Sequence, residues 1–321
     1  MGGEIKKNVY DESKIQTLSA LEHIRLRSGM YIGRLGDGSN KNDGIYILLK
    51  EVVDNAVDEF IMGNGDRIVI EIKNSRVKVR DYGRGIPLGK VVDCVSIINT
   101  GAKYNDDVFQ FSVGLNGVGT KAVNALSSYF RVLSVREGEC AEAVFERGTL
   151  VSERKGKAKP GVANGTYIEF EPDTEIFGKY NFNMEFVDKR LWNYAYLNAG
   201  LKLICNNQEY VSQNGLLDLL NSEIDEASLY PVGYYKGDKL EFAFTHSNAY
   251  GENYFSFVNG QETSDGGTHL SAFKEGFLKG VNDFFRKQFK SEDVREVMAA
   301  ASLVKVKDPV FESQTKNKLG N

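Results

Sequence analysis

Cysteine is scarce in this chain of 321 residues: Cys94, Cys140 and Cys205 are far apart, odd in number and form no CxxC pair. That excludes a disulfide framework and points to a reducing compartment. Histidine is equally rare. His23, His246 and His269 have no neighbour at metal-ligand spacing, so zinc is not expected. No apolar run approaches the ~18–20 residues of a membrane span. The start, MGGEIKKNVYDESK, has no apolar signal-peptide stretch, and a lysine stands where a myristoylation motif wants Ser or Thr. A soluble cytoplasmic protein with no membrane partner is expected. A basic surplus is missing too. Lys plus Arg number 40 against 44 Asp plus Glu, and the formal charge of −4 has the wrong sign for an autonomous DNA-binding module. If nucleic acid matters, another segment or subunit does most of the gripping. There is no internal repeat and no low-complexity tract.

What remains is ordinary globular usage, 41% hydrophobic and 26% charged. At ~150 residues per domain the length suggests about two domains. The composition turns polar around 212–235, which puts a boundary at about 222.

The clearest helix covers 45–61, IYILLKEVVDNAVDEFI, where apolar residues follow the i, i+3, i+4, i+7 series. Its other face carries Glu51, Asn55, Asp58 and Glu59. Ser13 is expected to cap a shorter helix bearing Ile15, Leu18, Leu21 and Ile24. Ile68, Ile70 and Ile72 alternate, as do Val77 and Val79, with Asn74-Ser75 between them, so a hairpin is predicted. Strands are predicted at FRVLSVRE, AEAVFERG and TYIEFEP, with 153–165 an exposed basic turn. Beyond the boundary come the strands KLEFAFTHS, NYFSFVNG and ASLVKVKD. A helix from about Thr268 to Phe289 has Leu270, Phe273, Phe277, Val281, Phe284 and Phe285 on its apolar face.

Four features suit one nucleotide site. Glu51 and Asn55, four apart on a helix, share a face. A carboxylate can take a proton from water, and an amide oxygen can bind a hard cation. Asp81 continues the period of two onto the buried face, where a carboxylate is costly unless bonded. It can accept from a purine amino group, and Gly83 and Gly85 let the backbone come close to a flat base. GLNGVGTK, residues 114–121, opens a helix, and backbone N–H groups there form an anion cradle. A P-loop is discounted, because Thr120 and Lys121 stand in swapped order. Thr166 shares an inward face with Ile168 and Phe170. Each feature alone has a bland alternative: a solvated acidic stripe, an Asp-capped turn, a flexible loop, a common strand residue. Their order along the chain discriminates.

That order resembles the GHKL (Bergerat-fold) ATPases. The wording EVVDNAVDE, DYGRGIP, TGAKY, GLNGVGTKAVNALS, NGTYIEF, DGGTH and QTK is similar, more closely, to the ATPase subunits of bacterial type IIA topoisomerases, the gyrase B and topoisomerase IV B group. The resemblance runs from about Tyr10 to Lys316. It implies an α+β chain: a GHKL α/β sandwich with an N-terminal dimerisation arm over 1–222, then a truncated transducer domain of ribosomal protein S5-like fold over 223–321. It implies ATP and Mg²⁺ as cofactors. Glu51 would be the general base and Asn55 the Mg²⁺ ligand. Asp81 would hold the adenine amino group, sharing a water with Thr166. Gly83, Gly85, Ile86 and Pro87 belong to the base-pocket motif, and Arg84 would pair with Glu59 at its mouth. Lys103, Gly114 and the amides of Leu115, Asn116, Gly117, Val118 and Gly119 would wrap the phosphates. Lys316 would reach the γ-phosphate with Gln314 beside it. Arg136 would join Asp81, Arg84 and Thr166 in an aminocoumarin-sensitive region. Tyr10 and Ile15 match the arm that crosses to a second protomer when ATP closes a homodimer gate. DNA, engaged through the full-length enzyme, and the A-type cleavage subunit are the implied partners.

The chain departs from the family pattern at Ser28, where Pro is usual, at Tyr82, which replaces an acid, and at Asn116, which replaces a phosphate-contacting His. Asn116 and the short 36–44 loop lean toward topoisomerase IV over gyrase. With five residues after Lys316, the chain reads as an N-terminal fragment without cleavage chemistry. Against this stand an ATP-gated clamp of the mismatch-repair or chaperone type, which DGGTH and QTK oppose, a sensor kinase using His23, and a non-enzymatic nucleotide-binding module.

Overall fold

The computed structural model describes residues 12–15, 17–101, 117–224, 228–248, 250–312 and 316–321. Its first helix begins later than Ser13 suggests. Glu12–Lys14 form one 3-10 turn, and α1 runs over Ala20–Leu26. The cap is Ser19. Its hydroxyl accepts from the Glu22 N–H at 3.3 Å, and Glu22 accepts from the Ser19 N–H at 2.8 Å. This reciprocal box satisfies two orphan donors, whereas Ile15 and Leu18 remain exposed and offer no apolar face to bury.

After α2 (Gly29–Ile32) comes α3 (Gly44–Ile61), with Ile45, Leu48, Leu49, Val52, Val53, Ala56 and Val57 in the core as the periodicity predicts. Strands β1 (Arg67–Lys73) and β2 (Arg76–Asp81) form the expected hairpin, Ile70 opposite Val79 and Ile72 opposite Val77. There follow α4 (Val91–Ser96), α5 (Gly119–Ala125), β3 (Ser127–Arg136), β4 (Glu139–Glu146), β5 (Thr149–Lys157) and β6 (Gly165–Pro172). Then come α6 (Thr174–Phe177), α7 (Met184–Leu197), β7 (Lys202–Cys205), β8 (Gln208–Tyr210) and α8 (Leu216–Glu223). The eight strands make one sheet in the order β5-β4-β3-β6-β2-β1-β7-β8, antiparallel except where β1 meets β7. Inward side chains of β1, β2, β3 and β6 pack on α3 and α5 in a single core.

The expected basic turn at 153–165 is shorter than read, because 149–157 pair with β4 as an edge strand. Charges that look like loop composition are paired there: Arg154 binds Glu142 across the strands, beside Arg131 from β3, and Lys155 pairs with Glu153 along β5.

The rest of the chain forms β9 (Gly233–Lys236), β10 (Leu240–His246), β11 (Asn253–Val258), β12 (Gln261–Glu262), α9 (Thr268–Phe285), α10 (Ser291–Arg295) and β13 (Met298–Val304). These five strands order as β12-β11-β13-β10-β9. The α9 helix stops at Phe285, not Phe289, because Arg286 turns left-handed and caps it. Its phenylalanines are not in a core. Phe284 is 81% exposed, and Phe273 and Phe277 wall a groove of about 1020 Å³ against Phe242 and Phe244. Within the polar stretch 212–235 the α8 helix escapes the composition reading. Leu216, Leu219 and Leu220 pack with Ala243, Phe257 and Leu303 in a second core. No helix among the described residues is long and apolar enough to cross a membrane.

Asp173 ties the ends of this frame together. Fully buried, it caps α6 and accepts from Arg25 at 2.7 Å and Arg147 at 2.9 Å. Burial opposes its ionisation, but Arg25, the Glu175 amide and Arg147 prevail and hold the carboxyl below its ordinary value. Its stabilisation is therefore present above the ordinary aspartate pKa and lost as pH falls through the native one. Asp173→Ala should lower stability by about 3 kcal/mol at pH 7, as for a buried pair losing one partner. Urea unfolding checks this, and the deficit should narrow below pH 4.

Candidate active site

One face of α3 presents Glu51, Asn55 and Glu59 at i, i+4 and i+8. At 1.5 Å per residue they span about 12 Å; Glu51 and Asn55 meet the start of α5, and Glu59 meets the loop after β2. The Glu51 carboxylate lies against the start of α5, so close that a Cβ on Gly119 would stand 1.8 Å from Oε2. The Asn55 amide donates to Thr120 Oγ1 at 2.8 Å and to the Glu51 carbonyl at 2.9 Å. Glu59 accepts from the Arg84 N–H at 2.8 Å and from its guanidinium at 2.9 Å, with Gly83 against its stem. The expected Glu59–Arg84 pair is thus formed.

Asp81 ends β2 and is 7% exposed. Its Oδ1 accepts from the Gly83 N–H at 2.9 Å and from the Thr166 N–H at 3.0 Å, leaving Oδ2 without a partner among the described residues. Thr166 therefore does adjoin Asp81, but through its backbone. The approach requires the glycine before it. Gly165 has φ +132°, and a Cβ there would meet the Asp81 carbonyl oxygen at 2.3 Å. Burial pushes the Asp81 carboxyl up to about 6, the nearby charge of Glu59 adds to this, and the two amides resist it.

The strand–loop junction after Asp81 is braced from β3. Ser134 donates to the Ile86 carbonyl at 2.7 Å, and the Arg136 guanidinium reaches the Gly85 carbonyl at 3.4 Å. Pro87 then leads into a 3-10 turn. Gly117 and Val118 lead into α5, and Lys121 turns away to the Thr100 carbonyl at 2.7 Å. Lys316 is buried in the last segment. Tyr10, Lys103, Gly114, Leu115, Asn116 and Gln314 lie outside the described residues.

The reading from residues missed Thr120 and Gly165. The swapped Thr120-Lys121 order, taken only as evidence against a P-loop, is the signal for Thr120, since it turns the hydroxyl to Asn55 and the lysine to the back. The NGT wording carried Gly165. No group of three His, Cys, Asp or Glu side chains among the described residues could hold a metal alone. A hard cation here would need phosphate oxygens to complete a set begun by Asn55, which fits Mg²⁺.

Comparison with known proteins gives the family of the chain. The family profile "Histidine kinase-, DNA gyrase B-, and HSP90-like ATPase" matches residues 40–175, and "DNA gyrase B" matches 208–321. The B-subunit of DNA topoisomerase 4 from Borreliella burgdorferi is 62% identical over 99% of this chain and 53% of its own length. The B-subunit of DNA gyrase from Clostridium acetobutylicum is 35% identical over 98% of this chain and 54% of its own. The 43K ATPase domain of Thermus thermophilus gyrase B, solved with an aminocoumarin, superposes with a TM-score of 0.75 at 30% identity, covering 95% of this chain and 85% of that one. The chain belongs to the B-subunit family of type IIA topoisomerases. Its fold is the GHKL ATPase sandwich followed by a transducer-like domain. The ATPase region of Saccharomyces cerevisiae topoisomerase II, 22% identical with a TM-score of 0.78, shares that fold. This B-subunit-family chain spans about half the length of the curated relatives it matches. None of these relatives favours the mismatch-repair or chaperone alternative.

The raised carboxyl of Asp81 has a consequence for stability. Between the ordinary aspartate value and about 6 the native state binds the extra proton, so stability falls as pH rises through that window. Asp81→Asn keeps the oxygen that accepts from both amides. Without ligand it should stabilise the chain at pH 7.5 by up to about 3 kcal/mol. Thermal unfolding of both proteins checks this, and the gain should shrink toward pH 4.

Proposed function

We propose that this chain binds ATP with Mg²⁺ and hydrolyses it as the ATPase part of a type IIA DNA topoisomerase. ATP then closes a homodimer gate, through the arm that includes Tyr10 and Ile15, and the gate captures a DNA segment for strand passage. Cleavage of DNA falls to the A-type subunit and to parts of the enzyme outside this sequence. The division proposed is an ATPase domain over 1–222 and a transducer over 223–321, with α8 at the junction.

The observation that carries this reading is the Glu51 carboxylate seated against Gly119, with Asn55 tied to Thr120 one turn on. At one end of the 12 Å face, Asp81 Oδ2 accepts from the adenine amino group, and Gly83, Gly85, Ile86, Pro87 and Thr166 enclose the base. Arg84 and Glu59 close the mouth. Gly117, Val118 and Gly119 at the start of α5 hold the phosphates, and the resemblance gives the same task to Lys103, Gly114, Leu115 and Asn116. Asn55 offers its side-chain oxygen to Mg²⁺, which when bound neutralises charge on the phosphate oxygens. Glu51 orients the attacking water and takes its proton as the oxygen adds to the γ-phosphorus and ADP leaves. Lys316, with Gln314, contacts only the terminal phosphate, so it distinguishes ATP from ADP. Loss of that partner charge frees the second sheet to move.

Glu51→Ala should keep ATP affinity and lose turnover. Hydrolysis at the parental rate would remove Glu51 from the mechanism. Asp81→Asn should weaken adenine-nucleotide binding by about 1–3 kcal/mol, the range for a hydrogen bond to a charged group. Calorimetry reads this, and the opposite signs of its effects on binding and on apo stability separate a ligand role from a structural one. An aminocoumarin should displace ATP, and Arg136→Ala should weaken the aminocoumarin more than ATP. Binding of both at once would exclude the shared pocket.

A further inference from the structure

Thr120 takes no part in the proposed chemistry itself, yet it touches a residue that does. It is the second residue of α5, and its Oγ1 accepts from Asn55 Nδ2 at 2.8 Å. The same nitrogen donates back along α3 to the Glu51 carbonyl at 2.9 Å. An asparagine amide has two N–H donors, so one is committed to each helix. The first residues of α5 divide the work between them. Gly119, by lacking a side chain, lets the Glu51 carboxylate come close. Thr120 turns its hydroxyl to α3, and Lys121, one position further round the helix, goes to the Thr100 carbonyl.

The last torsion of an asparagine is broad and roughly two-fold, so the backbone does not decide which end of the amide faces a given direction. Held by the Glu51 carbonyl alone, the amide can still swing about that one bond. A second anchor fixes its plane. The pair also fixes its sense: turned over, the amide would set Oδ1 against the Glu51 carbonyl oxygen, acceptor against acceptor. We infer that Thr120 is a positioning residue of the metal site, its hydroxyl holding the Asn55 amide so that oxygen and not nitrogen is presented to Mg²⁺. The inference rests on Asn55 being the Mg²⁺ ligand. Groups that orient a ligand without touching the metal commonly change metal affinity by about 10- to 100-fold. Because the start of α5 also seats Glu51, one helix end sets the base and the metal ligand relative to each other.

The test is calorimetry on the 321-residue chain with a non-hydrolysable ATP analogue, in excess Mg²⁺ and in EDTA. The quantity read is the gain in affinity that Mg²⁺ confers. Thr120→Val keeps the branched shape and removes the acceptor; it should cut that gain by about 10-fold and leave the affinity in EDTA within about twofold. Thr120→Ser restores the hydroxyl and should keep the gain within about twofold of the parent. Asn55→Ala should abolish the gain, and Thr120→Val added to it should change nothing more. If thermal unfolding shows that the valine variant does not fold, Thr120→Ala removes the same acceptor and should cut the gain in the same way. An unchanged gain in Thr120→Val, while Asn55→Ala still abolishes it, overturns the inference and leaves the proposed function standing. So does an equal loss of affinity with and without Mg²⁺, which marks a purely structural role. A gain that survives Asn55→Ala overturns the reading of Asn55 and this inference with it.

Discussion

A carboxylate whose ionised form is made costly by burial sits at the end of a central strand, and the elements around it are arranged to accommodate it. The register of β2 forces Asp81 inward with Val77 and Val79. Two amides, from Gly83 and Thr166, soften the desolvation without cancelling it, and the absent side chain of Gly165 makes room for the second. Solvation alone would have placed an apolar residue there. A buried group held at a cost in stability, with one oxygen left over, is what recognition of a polar ligand edge requires.

The second organising element is α3. One side of it is core, and its flanks carry charge in two directions. Glu51, Asn55 and Glu59 address α5 and the loop after β2, while Asp54, paired with Lys50, bonds Tyr194 of α7 and Gln261 of β12. The helix thereby touches α5, the loop after β2 and the second sheet at once.

Local pattern made a good part of this legible. The span of α3, the β1–β2 hairpin, the inward Asp81 and the strands β3, β4 and β6 follow from periods of 3.6 and 2. Where the pattern misled, non-local forces had decided. The start of α1 went to Ser19 because Glu22 could complete its cap, while Ile15 and Leu18 found nothing to bury against. The charges of 153–157 became a strand because Glu142 lay opposite. The apolar face of α9 was visible, but its phenylalanines line a groove and do not fill a core.

By itself the sequence determined which side chains share an element and a face, because helix and strand periods are local properties of the chain. It also carried the family wording, from EVVDNAVDE to DGGTH. Only the tertiary structure decided which faces meet: Glu51 with Gly119, Asn55 with Thr120, Asp81 with Gly165, and Asp54 with a glutamine 207 residues away. Such pairings depend on how far layers approach one another, and that distance is set by packing of the whole core, which no window of sequence contains.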